Sequence, residues 1–346
     1  MTEREALLRA VCEFPDDDTP RLVFADWLQE HGEDERAEFI RVQCRLARKD
    51  DERLRQRARE LLAAHRESWS QPFQQFEVAG SFRRLMFGVQ FRRGFVFALS
   101  VNDEESRFVE NAAALFRLAP VQRLNPFHKH QHEDLTRCPE LLRVTELMID
   151  RQGFETVAIA QLLRSKYLTN ITRLDLIADD DNGHLETEGL ALFARAKSLP
   201  ALRHLYLSYN YCGWMFSDER ENWLARLLNG PLIGQLETLR LRSTDVTDGC
   251  ALALARCKRT GALRHLDVSG NSLSERSLRA LANSPHLSGL TTLDLRENDY
   301  DYEGGSQLRE CPPELRTLLQ ARFGTGLILE GKADPHPHDE LFKEFA

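Results

Sequence analysis

The second half of this chain repeats itself, and a repeat too short to bury its own apolar residues constrains the fold more than any single motif. The pattern L-x-x-L-x-L-x-x-N runs as Leu202, Leu205, Leu207 and Asn210. It returns as Leu263, Leu266, Val268 and Asn271, and again as Leu290, Leu293, Leu295 and Asn298. Weaker copies are Val144, Leu147 and Ile149; Ile171, Leu174 and Leu176; and Leu236, Leu239 and Leu241. A fading last copy carries Leu315 and Leu318. A degenerate first copy has Val121 and Leu124, with Pro126 at the third apolar place. Copies starting at 144, 171, 202, 236, 263, 290 and 315 lie 27, 31, 34, 27, 27 and 25 residues apart.

Within each copy the apolar residues alternate, so they share one face of a short strand. Strands of successive copies can pair in parallel, and their apolar rows then merge into one core. The asparagine is expected to turn inward where the strand ends, its amide serving backbone groups of the turn. Gln152, Asp179 and Thr244 replace it in three copies, where less regular turns are expected. The remainder of each copy reads as helix, with Thr247 to Lys258 and Ser274 to Asn283 the clearest examples. The period and the pattern resemble the ribonuclease-inhibitor type of leucine-rich repeat over residues 120–325. That resemblance implies an α/β solenoid, a horseshoe with parallel strands on its concave face and helices outside. It also implies a binding scaffold, without saying for what.

Residues 1–75 read as an all-α bundle. Helices are expected over Thr2 to Cys12, Arg21 to His31, Glu33 to Arg48 and Asp50 to Trp69. The string DDTPRLVFADWLQEHGEDERAEFIRVQ, within residues 3–47, resembles the repeat-companion domain that opens many bacterial leucine-rich-repeat proteins. The resemblance implies no activity. Its polar Asp26, His31, Arg36 and Glu38 read either as a ligand site or as caps and pairs across the bundle. Residues 76–119 read as a β-hairpin with glycine punctuation (Gly88, Gly94) followed by a helix from Glu104 to Leu118, a segment able to cap the first repeat. Residues 120–325 are the solenoid, of seven to eight repeats, and 326–346 a flexible C-terminal tail.

Chemistry is sparse. No phosphate-binding glycine loop, H-E-x-x-H or G-x-S-x-G occurs. The reading is therefore a non-enzyme without a cofactor. The seven cysteines are scattered and form no C-x-x-C pair, as expected of free thiols in the cytoplasm. With 46 basic against 54 acidic residues the net charge is −8, which disfavours nucleic acid and anionic membranes. No apolar stretch is long enough to span a bilayer, and the charged start MTEREALLRA lacks the apolar core of an export signal. His128, His130 and His132 share one side of an extended segment and form the one candidate metal cluster, so a metal sensor or metal-dependent enzyme is the alternative reading. A second alternative is a self-assembly module acting through the N-terminal bundle.

The stronger signal is the strand face opposite the leucines. Its candidate partner-binding residues are His204, Tyr206, Tyr209, Arg240, Arg242, Asp267, Asp294 and Arg296. Tyrosine and arginine are enriched at binding hot spots, and mixed charge suits selective recognition of a protein surface. Trp214 joins them from the long repeat starting at Leu202, whose insertion YNYCGWMFSDERENW also holds Phe216 and Trp223. The expected function is non-catalytic display of this face to a protein partner.

Overall fold

A computed structural model describes residues 1–74, 88–102, 107–127, 135–150, 156–177, 187–210, 223–298 and 311–330. The chain divides into two compact units, Met1–Thr145 and Glu146–Ala346.

The first unit begins with α1 (Glu3–Glu13), opened by a capping box in which Thr2 Oγ1 accepts from the Glu5 amide and Glu5 accepts from the Thr2 amide. Helix α2 (Asp18–Glu30) starts three residues before the expected Arg21. Asp17 caps it by accepting from the Thr19 amide at 2.8 Å, and Pro20 falls in the first turn, where a missing N–H is harmless. Helices α3 (Asp34–Arg48) and α4 (Glu52–Gln74) follow, α4 continuing beyond Trp69 through Pro72. One core joins Val11, Phe24, Ala25, Leu28, Ala37, Ile40 and Cys44 to Phe95; a second joins Phe39, Val42, Ala58 and Leu61. Phe95 opens β2 (Phe95–Asn102), which pairs antiparallel with β1 (Gly88–Arg92). Gly94 at the tip of this hairpin explains how it docks. Its φ is +84°, and a Cβ there would lie 2.5 Å from Ile40 Cγ1. Its amide donates to Gln43 Oε1 at 2.7 Å, fixing the tip to α3. Helix α5 (Arg107–Leu118) precedes β3 (Arg123–Phe127), which runs parallel to β2 despite Pro126.

The second unit is an α/β leucine-rich-repeat solenoid. Its strands are β4 (Glu146–Asp150), β5 (Arg173–Ile177), β6 (His204–Tyr206), β7 (Thr238–Arg240), β8 (His265–Asp267), β9 (Thr292–Asp294) and β10 (Leu327–Ile328). Each pairs in parallel with the next, and the register stacks Leu147, Leu174, Leu205, Leu239, Leu266, Leu293 and Leu327 in one row. From Leu147 to Leu293 that row is buried, as are Leu176, Leu207, Leu241, Val268 and Leu295 beside it. The helices α6 (Thr156–Leu162), α7 (Thr187–Ala194), α8 (Ala225–Leu228), α9 (Asp248–Arg256), α10 (Glu275–Ala282) and α11 (Pro313–Phe323) pack each on the next. Strand β10 takes in two residues expected to belong to the C-terminal tail, because the Leu295 amide donates to Ile328 O at 2.9 Å and draws them into the ladder.

The asparagines turn inward as their chemistry requires. Asn271 Nδ2 donates to Leu241 O (2.8 Å) and Val268 O (3.0 Å), while its Oδ1 accepts from the Thr244 and Val246 amides at 3.1 and 2.9 Å. Asn210 and Asn298 donate to the equivalent carbonyls, Leu176 O with Leu207 O and Val268 O with Leu295 O. Each amide thereby ties its own repeat to the one before. The residue preceding the asparagine position is left-handed in four repeats: Tyr209 (φ 63°), Ser243 (49°), Gly270 (64°) and Glu297 (55°). Where Thr244 replaces asparagine the turn needs a second left-handed residue, Asp245 (57°), the irregularity expected there.

Candidate functional site

Alternation along β4–β9 leaves a polar row on the face opposite the leucines. At its first position the register runs Glu146, Arg173, His204, Thr238, His265, Thr292, and at the next Met148, Asp175, Tyr206, Arg240, Asp267, Asp294. Neighbours across strands approach closely enough to interact, so this row is read sideways rather than along the chain.

Tyr206 stands at its centre. The guanidinium carbon of Arg173, on one neighbouring strand, lies 4.3 Å from its ring centroid, and that of Arg240, on the other, 4.6 Å. Both distances suit cation–π attraction. Arg173 also holds Asp175 through a fork of bonds, 2.8 Å from Nε and 2.7 Å from Nη2. Although burial opposes its charge, that carboxylate raises the Arg173 pKa above its ordinary value. Beside Tyr206, His204 Nδ1 bonds Thr238 Oγ1 at 3.0 Å, and the motif recurs as His265 Nδ1 with Thr292 Oγ1 at 3.1 Å. Burial lowers the His204 pKa, favouring the neutral ring.

Beyond the strand ends, Arg242 Nε donates to Tyr209 Oη at 2.8 Å, Nη1 to Ser269 Oγ at 3.1 Å, and Nη2 pairs with Glu297. Asp267 accepts from the amide and hydroxyl of Ser269 at 3.0 and 2.6 Å. Burial nonetheless raises its pKa, with Asp294 on the adjacent strand adding to the effect. Asp294 and Arg296 are buried, 5% and 7% exposed, and are engaged with each other at 3.0 Å. Of the expected partner-binding residues, the structure therefore gathers His204, Tyr206, Arg240 and Asp267 on one patch, sets Tyr209 and Arg242 at its rim, and places Asp294 and Arg296 beneath the surface. Trp214, like His128, His130 and His132, lies outside the described residues. Trp223 is buried, with its Nε1 donating to Asp245 O at 3.0 Å, and so fills space instead of forming an exposed contact.

Arg173 and Ser269 are parts of the patch that a strand-by-strand reading undervalues. Aligning repeat positions sideways finds them, because in-register parallel strands bring equal positions together. In the first unit the four polar residues of the bundle are engaged in contacts within that unit. Asp26 pairs with Arg41 at 2.7 Å, Glu38 with Arg57 at 2.7 Å, and His31 stacks on Trp27 with its Nδ1 2.7 Å from Trp27 O. Arg36 lies over the rings of Trp69, Phe39, Phe91 and Phe95 at 4.6–5.7 Å, and desolvation pushes its pKa down to about 9.

The Leucine Rich Repeat family matches residues 262–284, the stretch holding β8 and α10. Among solved structures the chain is similar to an internalin (inlF) from Listeria monocytogenes, with 19% identity, 71% of this chain and 59% of that one covered, and a TM-score of 0.36. It is also similar to the plant peptide hormone receptor RGFR1 in complex with RGF2, with 14% identity, 62% and 33% covered, and a TM-score of 0.27. The chain thus spans 59% and 33% of the lengths of these two structures. No curated protein matches it.

Proposed function

We propose that this protein is a non-catalytic scaffold that presents the strand face of its solenoid to a protein partner. The observation that carries this reading is Tyr206 held between Arg173 and Arg240 on a ladder whose register is fixed by a buried leucine row. A tyrosine with two rotatable bonds, steadied by two cations, offers contact area at low entropic cost, and rigid presentation reduces the ordering that association requires. His204, Tyr209, Arg242 and Asp267 complete the contact set, with Asp294 and Arg296 as its support. In this reading the repeats are of the ribonuclease-inhibitor type, and residues 1–75 are a repeat-companion domain of the bacterial kind.

A cytoplasmic site of action is part of the proposal. It is supported by six described cysteines that are all free and, except for Cys257, buried. No helix among the described residues is long and apolar enough to cross a membrane. Affinity capture with mass spectrometry tests the reading. The native chain is expected to retain specific partners that the Tyr206→Ala/Arg240→Ala double variant loses, while circular dichroism stays unchanged. Equal recovery of partners by a folded double variant overturns it.

A further inference from the structure

Among the described residues, the strand face and its rim carry four arginines, and three are engaged with a carboxylate. Arg173 pairs with Asp175, Arg242 with Glu297, and Arg296 with Asp294. Arg240 differs: it is half-buried and, among the described residues, makes no ion pair and donates no side-chain hydrogen bond. Its register partner Asp267 makes no ion pair with it: that carboxylate is turned to Ser269, and Arg240 acts on it only at longer range, lowering its pKa against the rise that burial causes. Stacking on Tyr206 holds the Arg240 guanidinium and leaves its N–H edge without an acceptor among the described residues. The Tyr206 hydroxyl likewise has no hydrogen-bond partner among the described residues, so donors of two kinds stand side by side without an acceptor.

We propose that Arg240 and Tyr206 together receive a side-chain carboxylate from an acidic, Asp- or Glu-bearing segment of the protein partner. This inference rests on the scaffold reading and specifies the partner's chemistry. A guanidinium fork matches a carboxylate in a bidentate manner, and the neighbouring phenol can add a third bond. Selectivity follows from the surroundings. The chain carries a net charge of −8, so an acidic segment is repelled at long range and is accepted only where a cation lacks its own counter-ion. Asp267, beside Arg240, opposes the ligand carboxylate and sets the affinity below what the cation alone would give.

The probes are three fluorescent hexapeptides with blocked ends, rich in Glu, Gln or Lys, and a Gln peptide with a free C-terminal carboxylate. Anisotropy is read on the full chain at low ionic strength. The Glu peptide is expected to bind the native chain, and to bind the Arg240→Gln variant at least roughly tenfold more weakly. Tyr206→Phe, which keeps the ring and its stacking, should weaken binding severalfold. Asp267→Asn should strengthen it, and Arg259→Gln, which removes an exposed cation on a different surface, should leave it unchanged. Equal binding of the Gln and Glu peptides, or an unaltered affinity in folded Arg240→Gln, overturns the proposal. So does preference for the free-ended Gln peptide, which would assign the site to a chain terminus. Preference for the Lys peptide, abolished by Asp267→Asn, would overturn the acidic partner while leaving the scaffold reading intact. Failure of every probe overturns the inference alone, since partner capture judges the scaffold reading separately.

Discussion

In the helical unit, ion pairs join successive turns of one helix, as Arg9 with Glu13, and also join one helix to another. Arg41 meets Asp26 and Arg57 meets Glu38, each contact tying one helix to another. On the strand face of the solenoid, Arg173 meets Asp175 and Arg296 meets Asp294, partners only two residues apart on one strand. The difference follows from geometry. A helix returns to the same face after three or four residues, which sets its local pairs, and packing brings a second helix within reach, whereas a strand returns after two. Apolar packing divides in the same way. The bundle gathers side chains from three helices and the hairpin around Phe24 and Phe95, while the solenoid repeats one leucine contact from strand to strand. The first arrangement is cooperative in three dimensions, and the second nearly so in one.

The largest expected effect tests this contrast directly. Leu266 is 1% exposed in the middle of the leucine row, and Leu266→Ala should destabilise the solenoid by about 2–5 kcal/mol. Variants retaining only Trp223, or only Trp27 and Trp69, let fluorescence follow each unit during denaturation by urea. The Trp223 transition should move to lower urea and the other should stay; a single shared shift would break the contrast. A smaller effect sharpens it within the solenoid. Asn271→Ala removes its bonds to three carbonyls and two amides of adjacent repeats and should cost about 2–3 kcal/mol, against about 1 kcal/mol for Thr244→Ala, which loses one bond to Leu241 O. Equal losses in urea melts would show that the amide is no tie between repeats.

The smallest effect concerns pH. Burial holds the His204 pKa below its ordinary 6.5, so the neutral ring is favoured in the fold. Its contribution is complete above that value and is lost as the pH falls through the lower folded value. Native stability should therefore decline on acidification below pH 6.5 slightly more steeply than that of His204→Gln, in urea melts taken at successive pH values.

Much of the solenoid was legible because leucine spacing reports strand, face and register together. The strand positions, the inward asparagines and the irregular turn at Thr244 all follow from the columns. Other features were hidden for identifiable reasons. Asp294 and Arg296 read as exposed contacts because alternation gives direction but not depth, and their mutual pairing lets both sink. The Arg240 stack on Tyr206 is set by side-chain rotation, about which spacing is silent. Helix α2 begins ahead of the Thr19-Pro20 start signal because Asp17 supplies the cap. Strand β10 leaves no trace in the pattern because two residues carry no period.

The left-handed residue ahead of each asparagine carries a consequence for engineering. Only one of the four such positions is glycine, Gly270; Tyr209, Ser243 and Glu297 hold the same backbone shape against their own Cβ atoms, at roughly 1 kcal/mol or more each. Tyr209 and Glu297 are the two side chains that grip Arg242. Replacing them with glycine would relax the turns and release that arginine, so a sturdier version of this protein is expected to recognise its target less selectively.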